Sequence, residues 1–369
     1  MINSKHRPTV ALIDLEAIRW NIEQEKKHSN NSEIFAVVKA NGYGHGAVEV
    51  AKTALASGVS GLCVSNLDEA LDLRRHGITS PILVLSEIPV AYVELAQKNQ
   101  ITLTVASLYF LETLDSKLNL SELKVHLKLD TGMGRIGLRT AEEIKSAERL
   151  INQLNIQLEG VFTHFATADE KTDDYFNQQV QRFRQLKLAL NAQPKYVHVS
   201  NTATTFWHQQ CDGNLIRYGI GMYGLNPSGT LLNLPFDLKP ALSLISQLSY
   251  VKQVGKAEFI SYGATYETKK NEWIGTVPIG YADGWLRRLQ GFSVLVDDEY
   301  CEIIGRICMD QLMIRLPKAF PIGSKVTLIG KDQDNEVTAA SVAEFSQTIH
   351  YEITCGLSDR IPRVYQVKD

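Results

Sequence analysis

Short runs rich in valine, isoleucine and leucine alternate with helical patterns along the first part of the chain. After a predicted strand near Val10 to Ile13 and an amphipathic helix from Leu15, eight apolar runs follow, at 34–38, 61–65, 81–86, 101–105, 123–129, 158–165, 196–200 and 214–219. Intervening segments such as 141–154 and 174–191 show helical periodicity. Continuously apolar strands separated by helices indicate a parallel sheet covered on both faces. Eight such units close most naturally into a (β/α)8 barrel, with an open doubly wound sheet as the alternative.

The pattern changes after this βα alternation. The segment LNPSGTLLNLPFDLKP, residues 225–240, is rich in turn residues and predicts a linker. Downstream, strand-like alternation predominates and long helical patterns are few. We therefore predict an α/β chain with a TIM-type barrel at 1–237 and a mainly β domain at 238–369.

Unusual polar residues occur at the same end of five of the predicted barrel strands. In barrels of this kind, functional groups gather at the carboxyl ends of the strands. Residues of this type close or follow the first, fifth, sixth, seventh and eighth runs: Lys39, Lys128, Asp130, His164, Asn201, Thr202 and Arg217. We therefore predict the functional site at this end of the barrel.

The loops after the seventh and eighth runs, SNTATT and RYGIGMYG, consist largely of small residues. Such loops expose backbone N–H groups and are the usual phosphate site of these barrels. Lys39 lies at a buried strand end, where desolvation lowers the pKa of an amine and favours attack on an aldehyde. A phosphate site opposite such a lysine describes pyridoxal phosphate. The alternative is that Lys39 only caps its strand and extends to solvent.

Charge and composition exclude several classes of protein. The chain of 369 residues has 38 Lys plus Arg and 41 Asp plus Glu, without a block of like charges, which argues against nucleic-acid binding or a polybasic membrane patch. We find no membrane-spanning run and no secretory signal. Five scattered cysteines without C-x-x-C spacing predict a reducing compartment, no disulfides and no zinc site. We therefore expect a cytoplasmic protein without a metal.

Some candidate residues also have ordinary structural interpretations. His164 is compatible with a satisfied core histidine, and Tyr262 and Tyr351 with half-buried tyrosines of the β domain. Arg217 is harder to explain in this way, because a buried arginine needs a partner. The G-x-G-x-G spacing of Gly42, Gly44 and Gly46 does not match the dinucleotide fingerprint, and His45 and His198 do not form a metal-binding spacing.

Nine motifs occur in an order that resembles bacterial alanine racemases, from about residue 8 to about residue 365. They are AVVKANGYGHG, LDTGMGRIG, THFATAD, VSNTAT, IRYGIGMYG, SYGATY, PIGYADG, GRICMDQ and HYEITC. The resemblance implies an N-terminal barrel, a C-terminal β domain and a homodimer whose active sites each borrow residues from the partner. It also implies an isomerase that uses pyridoxal phosphate to interconvert L- and D-alanine and supplies D-alanine for peptidoglycan.

The same resemblance implies roles in cofactor binding. Lys39 resembles the lysine that bonds covalently to the cofactor, and Arg217 the arginine that faces its pyridine nitrogen. Since arginine stays protonated and can only donate, that nitrogen should remain unprotonated, which suppresses transamination. The positions that resemble phosphate contacts are Tyr43, Thr202, Gly219, Ile220 and Tyr351.

For proton transfer, the resemblance implies two bases on opposite faces of the substrate. Lys39 acts on the D side, and Tyr262 of the other subunit acts on the L side. Because a phenol ordinarily titrates near about 10, Tyr262 needs help. His164 resembles its hydrogen-bond partner, and the charge of Arg217 favours the phenolate.

Further positions resemble substrate contacts. Arg135 resembles an arginine that binds the cofactor near its phenolic oxygen and also contacts the substrate carboxylate. The backbone N–H of Met309 resembles the other carboxylate contact. Lys128 matches a lysine that is carbamylated in some members of the family and holds the arginine equivalent to Arg135. The residues that resemble the narrow corridor to the site are Tyr281, Arg306, Asp310, Ile349 and Asp169.

Three other functions remain open from the sequence. A racemase for serine or for a broader set of amino acids keeps the fold and the cofactor. A non-catalytic pyridoxal phosphate carrier resembles only the barrel, and the presence of Tyr262 argues against it. A decarboxylase on a related two-domain scaffold is disfavoured, because GRICMDQ and SYGATY stand where its specificity motifs belong.

Overall fold

The computed structural model describes residues 3–30, 32–208 and 211–366. Its strands are β1 (Val10–Asp14), β2 (Glu33–Val37), β3 (Gly61–Val64), β4 (Ile82–Val84), β5 (Leu103–Val105), β6 (Lys124–Lys128), β7 (Gln157–Phe162), β8 (Tyr196–His198), β9 (Leu215–Tyr218), β10 (Leu242–Gln247), β11 (Tyr250–Val254), β12 (Phe259–Ile260), β13 (Tyr266–Glu267), β14 (Glu272–Val277), β15 (Ser293–Val296), β16 (Glu299–Ile304), β17 (Leu312–Leu316), β18 (Lys325–Asp332), β19 (Asn335–Val337) and β20 (Arg363–Gln366). Its α-helices are Leu15–His28, Ala47–Ala56, Leu67–Arg75, Val93–Lys98, Leu108–Glu112, Ala141–Gln153, Asp174–Lys187, Thr202–Trp207, Ala339–Phe345 and His350–Cys355. A helical turn at Lys39–Tyr43 is left-handed.

The chain forms two compact units, which we call the barrel unit and the β unit. The barrel unit comprises Ile18–Gly42 and Ala47–Lys239. The β unit comprises the described residues up to Ala17, Tyr43–Gly46 and those from Pro240 onward. The domain boundary at residues 237 and 238 stays a prediction from the sequence.

In the barrel unit, strands β2 to β9 are parallel and form two four-stranded sheets, β4-β3-β2-β9 and β5-β6-β7-β8. Val84 N donates to Thr102 O at 3.0 Å and joins the sheets along one seam. Along the other seam, Asn214 N donates to Val197 O at 2.9 Å, and Arg217 N donates to Ser200 O at 2.9 Å. The eight-stranded barrel is therefore confirmed, and the open doubly wound alternative is wrong.

The barrel strands and helices follow from their sequences. Strands β3, β4 and β5 are buried along their whole length, as expected when both faces of a sheet are covered. The amphipathic helix Ala141–Gln153 buries Ile144 and Ile151 on one face. Its start is fixed by a capping box, in which Thr140 and Glu143 each bond the other's backbone N–H.

The β unit contains a ten-stranded sheet with the order β11-β14-β17-β16-β15-β18-β10-β1-β20, and β19 pairs with β18. The first strand is internal to this sheet: Val10 pairs with Ile245 of β10, and Ala11 pairs with Arg363 of β20. The predicted β-rich C-terminal region is confirmed, and it also carries the two short helices Ala339–Phe345 and His350–Cys355. Within the described residues, none of the helices is both long and apolar enough to cross a bilayer.

A buried carboxyl group in the barrel unit makes the stability of the protein depend on pH. Glu25 is fully buried in the helix Leu15–His28, and its Oε1 accepts a hydrogen bond from Thr205 Oγ1 at 2.6 Å. Its Oε2 has no partner among the described residues. Burial raises the pKa of Glu25 to about 8, although the Thr205 hydrogen bond acts in the opposite direction.

We expect Glu25 to weaken the fold as the pH rises. Because its folded pKa is raised, its contribution is fully present below about 4.5 and is lost as the pH approaches 8. The loss is about 1.4 kcal/mol for each pH unit in this window. Urea unfolding of the wild type and Glu25→Gln, which keeps the acceptor and cannot ionise, measures this difference. Parallel pH dependence of the two proteins would contradict it.

Candidate active site

Lys39 lies two residues beyond the last residue of β2, at the carboxyl end of a barrel strand, and its side chain is partly buried. The next four residues, Ala40 to Tyr43, all have φ between 52° and 62°. Each L residue in this left-handed region costs about 1–2 kcal/mol. The turn after Lys39 must therefore be held by its surroundings.

Three hydrogen bonds hold this turn within the barrel unit. Gly42 N donates to Val38 O at 2.9 Å, and Ala47 N donates to Asn41 Oδ1 at 3.0 Å. Glu69 Oε1 accepts from Ala40 N at 2.7 Å, while its Oε2 accepts from Ser65 N at 2.7 Å. Glu69 thus ties the residue after Lys39 to the end of the neighbouring strand. Sequence reasoning missed Glu69, because an acidic residue in a first helical turn is ordinary.

Arg217 is buried in β9 and makes five hydrogen bonds in the described part of the chain, all from its two terminal nitrogens. Nη1 donates to His198 Nδ1 at 2.8 Å and to His198 O at 2.7 Å. Nη2 lies near Thr163 O at 2.9 Å, Val199 O at 3.3 Å and His164 Nδ1 at 3.4 Å. Burial lowers the pKa of Arg217 to about 10, so the guanidinium stays charged at neutral pH. Nε is the donor that these bonds leave available.

His164 lies just beyond β7, where several cations act on it. Burial lowers the pKa of His164 well below its ordinary value. Nearby positive charges lower it further, and in decreasing order of effect these are Arg217, Lys128, Arg135 and Lys39. Asn201 Nδ2 lies 3.5 Å from His164 Nε2. The imidazole of His164 is therefore neutral. Four other predicted site residues of the barrel unit lie close enough for their charges to act on it.

Lys128 is almost fully buried at the end of β6, and Nζ donates to Leu129 O at 3.0 Å. Burial and the charge of Arg217 lower the pKa of Lys128 to about 7. Much of the amine is therefore neutral at physiological pH, as carbamylation requires. Arg135 is exposed, and its charge acts on Lys128. Carbamylation of Lys128 stays a prediction.

Asp130 orders the turn that leads to Arg135. Its Oδ1 accepts from Gly132 N and Gly134 N, both at 3.0 Å. Burial acts to raise the pKa of Asp130, but the two N–H donors outweigh it and lower the pKa. Asp169, predicted in the access corridor, lies in the loop after β7, and its pKa is raised by burial.

The two loops predicted to bind phosphate are connected through Thr202. Its Oγ1 accepts from Gly219 N at 3.1 Å and from Gly221 N at 3.5 Å. A hydroxyl that accepts in this way keeps its own hydrogen for another acceptor. Ile220 begins the 3-10 turn Ile220–Tyr223 that follows Gly219. Thr202, Gly219 and Ile220 are thus neighbours, and phosphate binding by them stays a prediction.

The remaining predicted residues belong to the β unit. The rings of Tyr43 and Tyr351 lie 6.1 Å apart between centroids. The backbone of Gly44 passes so close to the helix His350–Cys355 that an added Cβ would lie 2.0 Å from Thr354 O. A glycine is therefore required at residue 44, and Tyr43 and Tyr351 are held beside one another.

Tyr262 lies in a short turn between β12 and β13 and is 69% exposed. Ser261, Gly263 and Ala264 around it all have positive φ. Ser261 Oγ donates to Arg306 O at 2.5 Å and thereby fixes the start of this turn. The turn presents the phenol ring of Tyr262 to the outside of the described chain.

Most of the residues predicted for the corridor in the β unit lie in two loops that share backbone hydrogen bonds, and Ile349 precedes the last helix. Tyr281 N donates to Cys308 O at 3.1 Å, and Ala282 N donates to Met309 O at 3.0 Å. Arg360 Nη2 bonds Asp310 Oδ1 at 2.7 Å. Three predicted residues at these loops and at the start of the last helix are strongly exposed: Tyr281 at 43%, Met309 at 53% and Ile349 at 60%.

Comparison with known proteins places these residues in one family. The models for the alanine racemase N-terminal and C-terminal domains match residues 13–227 and 241–365. An alanine racemase of Pediococcus pentosaceus is 54% identical, covering 99% of this chain and 98% of the relative. The crystal structure of alanine racemase from E. faecalis is 52% identical, with a TM-score of 0.96 over 99% of this chain and 100% of that chain. Alanine racemase from Bacillus anthracis with bound L-Ala-P is 46% identical, with a TM-score of 0.94 over 98% of this chain and 95% of that chain. The chain therefore belongs to the alanine racemase family.

Proposed function

We propose that this protein is a pyridoxal phosphate-dependent alanine racemase, active as a homodimer in the cytoplasm, where it supplies D-alanine for peptidoglycan. The observation that carries the proposal is that Lys39, Arg217 and Lys128 lie near His164 at the carboxyl ends of the barrel strands. The chain is also 54% identical over nearly its whole length to a curated alanine racemase.

The donors in the barrel unit suit this cofactor. The Thr202 hydroxyl hydrogen and the adjacent glycine-rich loop suit a phosphate. Arg217 Nε is a permanently protonated donor for the pyridine nitrogen, since Nη1 and Nη2 are held by other acceptors. When bound, pyridoxal phosphate withdraws electrons from the Cα of an amino acid and makes its Hα acidic.

The residues of this chain then divide the proton transfer between them. Lys39 would hold the cofactor through its aldehyde, and its amine would remove or return a proton at Cα of the substrate on one face. Tyr262 does the same on the opposite face. Its exposure suits a role at the partner's site, where His164 and Arg217 stabilise the phenolate.

Further residues of the chain would contact the substrate and the cofactor phosphate. Arg135 and the Met309 N–H bind the substrate carboxylate. Tyr43 and Tyr351, which lie side by side, contribute to phosphate binding. Tyr281, Arg306, Asp310, Ile349 and Asp169 form the corridor that limits the size of the substrate.

Substrate preference can be tested by comparing turnover of L-alanine and L-serine with chiral chromatography of the products. A hydroxyl in place of a hydrogen changes the fit in a small apolar pocket, so we expect kcat/KM for alanine to exceed that for serine by roughly tenfold or more. Faster turnover of serine would favour the broader racemase. Absence of turnover with either amino acid, with cofactor bound, would favour a pyridoxal phosphate carrier.

A further inference from the structure

A chain of buried hydrogen bonds runs from Arg217 through the interior of the barrel to an acidic residue at its other end. Arg217 Nη1 lies 2.8 Å from His198 Nδ1, and His198 Nε2 lies 2.7 Å from His126 Nδ1. His126 Nε2 lies 3.4 Å from Glu159 Oε2, and Lys124 Nζ lies 2.8 Å from Glu159 Oε1. The strands β9, β8, β6 and β7 each contribute one member of the chain from Arg217 to Glu159.

The two ends of this chain determine the position of every proton within it. An arginine only donates, so His198 Nδ1 must accept, and the remaining proton of the neutral ring lies on Nε2. His198 Nε2 then donates to His126 Nδ1, which places the proton of His126 on its own Nε2. That proton is donated to the Glu159 carboxylate, which only accepts.

The surroundings of the two rings support neutral imidazoles. His126 and His198 are both fully buried, and burial lowers the pKa of each of them. An extra proton on His126 Nδ1 would face the proton on His198 Nε2 across 2.7 Å. Burial acts to raise the pKa of Glu159, but its hydrogen bonds with His126 and Lys124 outweigh burial and hold the pKa at about 2.

Packing leaves the rings little freedom to move. An added Cβ at Gly160 would lie 2.7 Å from His126 Nδ1, so the imidazole occupies the space that a side chain would need. The ring of Phe162 stacks on His198, with 4.6 Å between centroids and 5° between planes. With both rings held in place, the proton positions are the variable that remains.

We infer that Glu159 is a positioning residue, which fixes the tautomers of His126 and His198 and thereby holds Arg217 in the orientation that leaves Nε available. Without this acceptor, His126 can carry its proton on Nδ1 and donate towards His198. His198 Nε2 then accepts, its proton moves to Nδ1, and that proton meets the donor hydrogen of Arg217 Nη1. Reversal of the chain therefore displaces Arg217.

The tautomers can be read from ¹⁵N shifts of the histidine rings in purified, histidine-labelled holoenzyme. Single substitutions of His126 and His198 assign the signals. We expect Nε2–H on both rings in the wild type and in Glu159→Gln, whose amide oxygen still accepts. Glu159→Met, of similar length and with only a weakly accepting thioether, is expected to show mixed tautomers. Glu33→Met removes an exposed carboxylate at the same end of β2, which pairs with β9, and serves as the control.

Kinetics with alanine add a second readout, which rests on the proposed function. Glu159→Met is expected to lower kcat by roughly tenfold or more. We expect little change in KM, because Glu159 touches no substrate. Glu159→Gln is expected to keep kcat near that of the wild type.

An Nδ1–H signal for His198 in the wild type would overturn the inference, even if Glu159→Met fails to fold. So would unchanged tautomers in a folded Glu159→Met. The predicted tautomers in a protein that does not turn over alanine would count against the proposed function alone.

Discussion

Lys39→Ala is expected to abolish covalent attachment of the cofactor and to lower alanine racemisation by several orders of magnitude. The substitution removes both the amine that bonds the aldehyde and the base on one face of the substrate. Hydrogen bonds of Glu69 and Asn41 hold the left-handed turn that follows, so we expect the turn to persist in the variant. Borohydride reduction, followed by mass analysis of the peptides, identifies the attachment site.

Lys195→Ala is the matched control for this experiment. Lys195 is exposed just before β8, at the opposite end of a barrel strand from the predicted site. This variant is expected to retain the visible absorbance and the activity of the wild type. Reductive labelling of a lysine other than Lys39 would refute the assignment of the cofactor-binding residue.

Tyr262→Phe is expected to impair exchange of Hα with solvent far more for L-alanine than for D-alanine. Loss of a general acid–base group costs roughly 10²- to 10⁴-fold, and the loss should fall on the face that Tyr262 serves. Exchange in D₂O, followed separately for each enantiomer by NMR, measures the asymmetry. Tyr250→Phe removes the hydroxyl of another exposed tyrosine of the β unit and is expected to change neither rate. Equal losses for both enantiomers would contradict the two-base assignment.

Mixing the two inactive variants tests whether Tyr262 acts on the partner. In a Lys39→Ala/Tyr262→Phe heterodimer, one site lacks both groups and the other retains both. With random exchange, half of the dimers are mixed and carry one intact site, so roughly a quarter of wild-type activity is expected to return. Absence of recovery, with exchange of subunits verified, would mean that Tyr262 serves its own chain.

The barrel could be predicted because its signals are local. Each strand is continuously apolar, and each helix shows its own periodicity, so strand order follows from chain order. The position of β1 could not be predicted in this way. The alternation at Val10 to Ile13 indicates a strand but carries no information about its partners, which are β10 and β20.

The candidate site was predictable where a polar residue interrupts an apolar pattern, as at Lys39 and Arg217. The chain through His126 and Glu159 was not, because a single histidine within a strand is compatible with an ordinary core position. Its role depends on atoms that meet across four strands. The left-handed turn was similarly hidden. Asn41 and Gly42 tolerate positive φ, but nothing in the sequence predicts it for Ala40 and Tyr43.

The internal position of β1 also affects how the protein is made. During synthesis on the ribosome this strand emerges early, whereas its neighbours, which begin at Leu242 and Arg363, emerge late. The barrel unit between them can fold while translation continues, because its contacts are local. The edges of β1 have no partners during that interval and are open to chaperones or to other nascent chains. We therefore expect translation speed and chaperone supply to influence the yield of active protein.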